Sequence, residues 1–520
     1  MFVKCNLHSS TCALAALCAL PVVGFAGTAQ NVTNATQEAI ATAISSASSG
    51  DWLVLPAGTF TFSSQIQTDK NIGLVGDDGG GTILNKNAAC RFFDFTGSFG
   101  GDEGIKYITF NGGDLAINGS GGAIYCGSFT GGIESSTFTN NKSNSNVGGA
   151  IYCSSFAGNI LHSTFSGNEA VGPGGAIYCG SFAGSILHST FSDNKAIWGG
   201  AIYCSSFAGN ILHSTFSGNE AAGLGGAIYC SNNFTGNILH STFSGNSADS
   251  WGGAIYCNSS FTGGIFHSTF SGNSAYYVGG AIYCDGEFGG AIESSTFTNN
   301  KSNNSDGGAI FCGTFAGNIL HSTFSGNEAY DGGGGAIYCY YDGNFTDLGG
   351  TYFLSNRANG LGGAIFFNYN GSLCATSGDV VFQGNNIKRP EEPSEENSAD
   401  QLIRLITEMA GGSYTSGQED FVANAAHFQV GNGGGGNVAS IGAMDGNTLY
   451  FYDPISSDTE RRNLKIEINP VEDHTGTVLF NRHRSDVYFE GTGYAKISYG
   501  TMVLQNGASF GAEDNTGTFT

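Results

Sequence analysis

The sequence predicts an all-β protein: a right-handed parallel β-helix of ten or more coils, with an N-terminal cap and a β-rich C-terminal middle domain. Three observations predict it. Gly-Gly-Ala-Ile occurs ten times, at Ile124, Ile151, Ile177, Ile202, Ile228, Ile255, Ile282, Ile310, Ile337 and Ile365. Nine copies carry a cysteine two residues later, at Cys126, Cys153, Cys179, Cys204, Cys230, Cys257, Cys284, Cys312 and Cys339. Successive cysteines are 25 to 28 residues apart, a fixed period that marks a solenoid whose units bury their apolar faces against their neighbours. Within each unit, short β-branched or aromatic runs are broken by Gly, Ser and Asn, the pattern of strands and tight turns rather than of helical repeats. A unit of about 26 residues suits one coil, and strands stacked roughly 4.8 Å apart give ten coils a length of about 50 Å.

Each element of the unit has a reading. In Ala-Ile-Tyr-Cys the alternation of a strand puts Ile and Cys on one face and Ala and Tyr on the other. Ile and Cys are expected inside, Ala and Tyr outside. The Gly pair before them supplies a bend that a side chain would block. A second signature is Phe-x-x-Asn, as in Phe165 with Asn168 and Phe216 with Asn219. Its Phe is expected in the core, and its Asn in a turn with an amide that bonds to the next coil.

Residues 1–26 read as a secretory signal peptide: Lys4 as the early charge, an apolar stretch from Cys12 to Val23, and a cleavage site ending at Ala26. Export fits the composition. The chain has 84 Gly, and 42 acidic against 18 basic side chains give a net charge of −24, which argues against nucleic acid or an anionic bilayer as partner. Residues 27–120 are read as the N-terminal cap and first coils. Thr36 to Ser48 has a short helix's composition, and Trp52–Leu55, Pro56-Ala57-Gly58-Thr59-Phe60 and Ile72–Gly76 follow as short strands. This order resembles the N-terminal cap of pectate-lyase-like β-helices. A cap is physically required, because an open first coil would expose core and unpaired strand edge.

The alternation of Gly-Gly-Ala-Ile with Phe-Thr-Asn-Asn141, Phe-Ser-Gly-Asn168, Phe-Ser-Asp-Asn194 and their successors as far as Phe382-Gln-Gly-Asn385 covers about residues 105 to 386. This array resembles the chlamydial polymorphic outer membrane proteins, which are autotransporters. The resemblance implies a signal peptide, a β-helical passenger (121–387 as the repeat region), a middle domain and a membrane barrel. It also implies a surface-exposed adhesin and antigen of the infectious form, peripheral to the outer membrane or released from it. Residues 388–412 read as an acidic linker and a short amphipathic helix, with Ser398 and Gln401 as capping box and Leu402, Leu405, Ile406 and Met409 as apolar stripe. Residues 413–520, with Leu449–Ile455 and Val503–Ala508, resemble the middle domain. No run of barrel strands precedes Thr520, so a truncated member or a fragment is expected.

Three constellations are candidates for chemistry. The cysteine column suggests either a buried thiol stack or vertical or intermolecular bridges, since export permits oxidation while stacked Cβ atoms sit too far apart for an unstrained bond. Cys90 and Cys374 lie outside the column and are expected to be the exposed or cross-linking thiols. A histidine column, His162, His188, His213, His240, His267 and His321, would give a line of ligands rather than a tetrahedral set. Ser135 and Ser294 hold the same place in other copies, so a polar turn residue suffices and no metal or other cofactor is expected. A polysaccharide-active enzyme needs clustered carboxylates and basic residues. Lys142, Lys195, Lys301 and Arg357 are instead dispersed, and no catalytic residue is assigned. Two non-enzymatic readings remain. An adhesin would present Tyr276, Tyr277, Tyr340 and Tyr341 in variable turns to a host-cell receptor. A structural envelope component would use its outward tyrosines and stray cysteines to join other envelope proteins, in part as disulfide-linked complexes. A truncated remnant without a role is the third alternative.

Overall fold

The computed structural model describes residues 27–387 apart from 102, 116–118, 145, 361 and 370. Beyond 387 it describes the segments 429–430, 438–444, 447–451, 465–468, 477–481, 487–489, 494–497, 501–505, 510–512 and 518–519. The signal segment with Ala26, and the 388–412 linker and helix, lie outside the described residues.

A single coil shows how the sequence becomes a rod. Ile202–Phe207, Ile211–Leu212, Thr215–Ser217 and Glu220–Leu224 are four short strands separated by turns. Each pairs in parallel with its counterparts one repeat away on both sides, as Ile177, Ile202 and Ile228 do in the first strand and Phe191, Phe216 and Phe243 in the third. Strand backbone groups thereby find partners in the neighbouring coils, and in the Ile-Tyr-Cys and Phe columns identical residues are stacked over one another. The result is an all-β parallel solenoid of about 13 turns with four ladders.

The columns made by this stacking form the core. Ile202, Cys204, Phe207, Ile211 and Phe216 are fully buried, as are their counterparts in the flanking coils. Phe191 and Phe216 stack with ring centroids 4.8 Å apart and planes 2° from parallel. Each buried Phe contributes about 1.5–3 kcal/mol through area alone, so the repeated ring column is a main source of cohesion. The glycine pair works as a bend: Gly199 has φ +62, and a Cβ on Gly200 would lie 2.2 Å from the Gly226 carbonyl oxygen.

Two placements differ from the sequence reading. Alanine of Gly-Gly-Ala-Ile is buried rather than outward, as at Ala201. The strand begins at Ile, so Ala belongs to the bend, where strand alternation does not hold; its carbonyl accepts from both Ala176 and Ile177. Tyrosine does point away from the core, but its exposure varies. Tyr125, Tyr152, Tyr178, Tyr203 and Tyr229 are half-buried, whereas Tyr256, Tyr283 and Tyr338 are buried in a second apolar cluster with Val278, Phe311 and Phe366.

The N-terminal end is closed by the helix Gln37–Ser46. Thr36 caps it, its hydroxyl accepting from the Ala39 amide at 3.2 Å, and Lys70 donates to the Ile44 and Ser45 carbonyls at 2.8 and 2.7 Å at the other end. Ile40 and Ile44 are the helix's buried stripe, joined to the main core beside Leu53 and Phe60. At the other end of the described chain, Val438–Ala443, Lys465–Ile468, Tyr494–Ile497 and Thr518–Phe519 extend the Ile-Tyr-Cys ladder. Thr448–Phe451, Thr477–Asn481 and Thr501–Gln505 extend the Thr-Phe-Ser ladder.

Candidate functional site

The interior columns are complete in themselves. Asn219 donates through Nδ2 to Asn246 Oδ1 at 2.9 Å and to the Phe191 carbonyl at 3.0 Å, while its Oδ1 accepts from the Asn194 amide and Nδ2. Asn168 repeats the arrangement with Asn194 and the Phe138 carbonyl, and the ladder runs on to Asn385 with every amide buried. Fully satisfied buried amides hold the coils in register, and no donor is left for a ligand.

The nine column cysteines are free thiols and all are buried. Cys312 and Cys339 have sulfurs 3.7 Å apart, far beyond a bond of about 2.05 Å. Burial pushes the Cys153 and Cys179 thiols up, which leaves them neutral and poorly nucleophilic. Cys90 and Cys374, expected to be exposed or cross-linking, are also buried. The reason is local: Cys90 sits in the main core against the Phe62 carbonyl, and Cys374 lies in the strand Gly371–Ala375 between buried Leu373 and Ala375. Being outside the column did not put them on the surface.

The histidines form an exposed outer column. His162, His188, His213, His240 and His267 stack face to face at 4.8–5.0 Å. Each has a left-handed backbone, φ +47 to +48, and Ser135 (φ +46) and Ser294 (φ +50) share it. Histidine is among the non-glycine residues enriched in this conformation, so the turn accounts for the position. His188 and His240, inside the column, are lowered first by burial and then by their neighbouring imidazoles. Among the described residues no group of three or more His, Cys, Asp or Glu is placed to hold a metal ion.

The tyrosine-rich turns behave differently. Tyr276 and Tyr277 are exposed and meet edge to face at 4.8 Å; Tyr340 and Tyr341 do the same at 4.9 Å. Tyr277 and Tyr340, far apart in sequence, line one open groove of about 350 Å³ together with Trp251, Tyr283, Asp306 and Phe311. Tyr276 and Tyr341 do not line it. The sequence reading missed Trp251 and Asp306, although a signal was available. The residue just before Gly-Gly is Val147, Pro173, Trp198, Leu224, Trp251 and Val278 in successive coils, and then Asp306. One apolar column is broken by one carboxylate.

Residues 135–154, 162–180, 188–205, 213–231, 240–258, 267–285, 294–313 and 321–340 each match the family model of the Chlamydia polymorphic membrane protein repeat. The chain is a member of the chlamydial polymorphic membrane protein family. In structural terms each matched segment runs from one left-handed turn, at Ser or His, through Phe-x-x-Asn to the next Tyr-Cys strand, or Phe311-Cys312 in segment 294–313. The repeats of this polymorphic membrane protein make a chlamydial surface passenger the coarse reading of the rod. A comparison with curated proteins returns no match. Among solved structures the chain is similar to the PL6 family alginate lyase AlyGC, at 12% identity and TM-score 0.32, and to an arginine mutant of that enzyme, at 12% and 0.29. Each match covers 93% of this chain and 73% of the other.

Proposed function

We propose that this polymorphic membrane protein is an adhesive surface passenger that contacts a host-cell receptor through the aromatic groove between its tyrosine-rich turns. The observation that carries the proposal is the convergence of Tyr277 and Tyr340 on a single groove with Trp251. Exposed Trp and Tyr are the side chains that most often anchor protein interfaces. The remaining columns have structural work: thiols and phenylalanines pack, asparagines tie coils, and histidines turn the chain. The dispersed cations are engaged as well, Lys142 with Glu169 at 2.7 Å, Lys195 with Glu220 at 2.7 Å and Lys301 with Glu328 at 3.4 Å. That arrangement favours binding over polysaccharide chemistry. Burial of Cys90 and Cys374 gives the cross-linked envelope reading no exposed thiol there.

The test is adhesion of the purified chain to host cells, with melting temperature as the control for folding. Replacing Tyr277 and Tyr340 together by Ala should lower binding at least tenfold, while Tyr152→Ala leaves it unchanged. Undiminished binding by the double variant would overturn the proposal.

A further inference from the structure

The groove has a chemical bias that its aromatic character alone does not specify. Of its lining side chains only Asp306 is charged. That carboxylate is half-buried, and burial raises its pKa against the opposing pull of bonds from the Gly333 amide (2.6 Å) and the Ser305 hydroxyl (3.2 Å). A carboxylate has about four acceptor positions, so two bonds leave it capacity. Among the described residues it has no ion-pair partner. A half-buried charge without a counter-ion is destabilising, and it sits where the preceding six coils carry apolar residues or proline.

The first coil of the same tyrosine column shows what completes such an arrangement. There the Arg91 guanidinium lies over the Tyr125 ring, 4.9 Å from its centroid, and its Nη1 donates to Asp94 Oδ2 at 2.9 Å. Aromatic face, carboxylate and guanidinium form one unit. At Asp306 the rings of Tyr283, Phe311 and Tyr340 line the groove beside the carboxylate, and among the described residues no cation pairs with it.

We propose that the groove receives an arginine side chain of the partner polypeptide, its guanidinium placed between the aromatic rings and the Asp306 carboxylate. Arginine fits better than lysine because its flat guanidinium stacks on rings and can pair with both oxygens of a carboxylate. The chain's net charge of −24 attracts a basic partner surface from a distance. A sulfated or otherwise anionic ligand is disfavoured by the same charge. This inference rests on reading the groove as the contact face, and it adds the chemistry of what enters it.

The experiment titrates N-acetyl-Gly-Arg-Gly-amide into the full chain, followed by tryptophan fluorescence, against the same peptide with citrulline, which keeps the shape and removes the charge. The arginine peptide should bind at least tenfold more tightly, and Asp306→Asn should erase that preference. Tyr340→Leu, which removes a ring without touching the carboxylate, should weaken the arginine peptide if Asp306→Asn does not fold. Equal binding of the two peptides, or no binding of either, overturns the inference. Cell adhesion separates the two claims. If the tyrosine variants abolish adhesion while Asp306→Asn and the arginine peptide leave it intact, the contact face stands and the arginine fails. If the peptide result holds but the tyrosine variants adhere normally, the arginine site stands and the contact face fails.

Discussion

The coils around Tyr125 to Tyr203 and those around Tyr256 to Tyr338 are built from the same repeat, yet they present different outer faces. Tyrosine rings stack at 4.8–5.3 Å in the first region and 4.9–5.2 Å, through Phe311, in the second. Their spacing is therefore not what differs. In the second region Trp251 lies over Tyr283 at 5.2 Å and Val278 packs beside it, so the column is covered. In the first region the equivalent turn residues are Val147 and Pro173, and the rings remain half-buried. The difference teaches that a solenoid's scaffold and its surface are set by separate positions. Inward columns must be uniform because each coil packs on its own copy. The turn position one step before the glycine pair contributes to the difference but does not set it alone: Trp198, at that position, lies over Tyr229 at 5.9 Å, and that ring stays half-buried.

The largest expected effect tests the uniform part. A Cβ at Gly149 would lie 2.0 Å from the Gly175 carbonyl oxygen, and one at Gly253 lies 2.0 Å from that of Gly280. Replacing either by Ala should cost about 4 kcal/mol or more through steric strain, equally in the two regions. Chemical denaturation of the two variants measures this, and a marked difference between them would break the separation of scaffold from surface.

The next effect lies in the part that differs. Tyr283→Ala should cost about 3 kcal/mol, near the low end for a buried aromatic, and Tyr152→Ala about 1 kcal/mol because its ring is half in water. Equal costs would mean that the cover over the second region contributes nothing. Alkaline titration sharpens the same contrast. Burial pushes the Tyr229 phenol up to about 12 and raises Tyr256, Tyr283 and Tyr338 still further. A raised phenol favours the folded state while protonated, so stability is whole below pH 10 and falls as pH climbs towards 12 and beyond. Uncovering Tyr283 with Trp251→Ala should move part of the phenol absorbance change to lower pH.

How much of this was legible in the sequence follows the same division. Ile202, Cys204, Phe216 and Asn219 could be placed because the repeat makes each residue its own neighbour, so one unit contains the whole interior. Alanine of Gly-Gly-Ala-Ile was misplaced by carrying strand alternation back into a bend. Cys90 and Cys374 were misplaced because departure from a column says nothing of burial. The groove was half legible: Tyr277 and Tyr340 stand out in their turns, but their meeting with Asp306 joins different coils and is not visible along any single one.

The smallest effect concerns the histidine column, which runs along both regions. His188 and His240 are lowered, so the fold resists their protonation. Stability is then present above the ordinary imidazole value of about 6.5 and is lost as pH falls through it. Melting temperature should decline modestly between pH 7 and 5. Replacing His188, His213 and His240 by Ser, the residue already used at positions 135 and 294, should flatten that decline. An unchanged slope would remove imidazole repulsion as its cause.

The contrast between the two regions is tested most directly by nitrating the native chain with tetranitromethane and mapping modified tyrosines by mass spectrometry. The account predicts modification at Tyr152, Tyr178 and Tyr203 and at the exposed Tyr276 and Tyr341, with Tyr256, Tyr283 and Tyr338 protected until the chain is denatured. Similar native-state modification of Tyr203 and Tyr283 would contradict it.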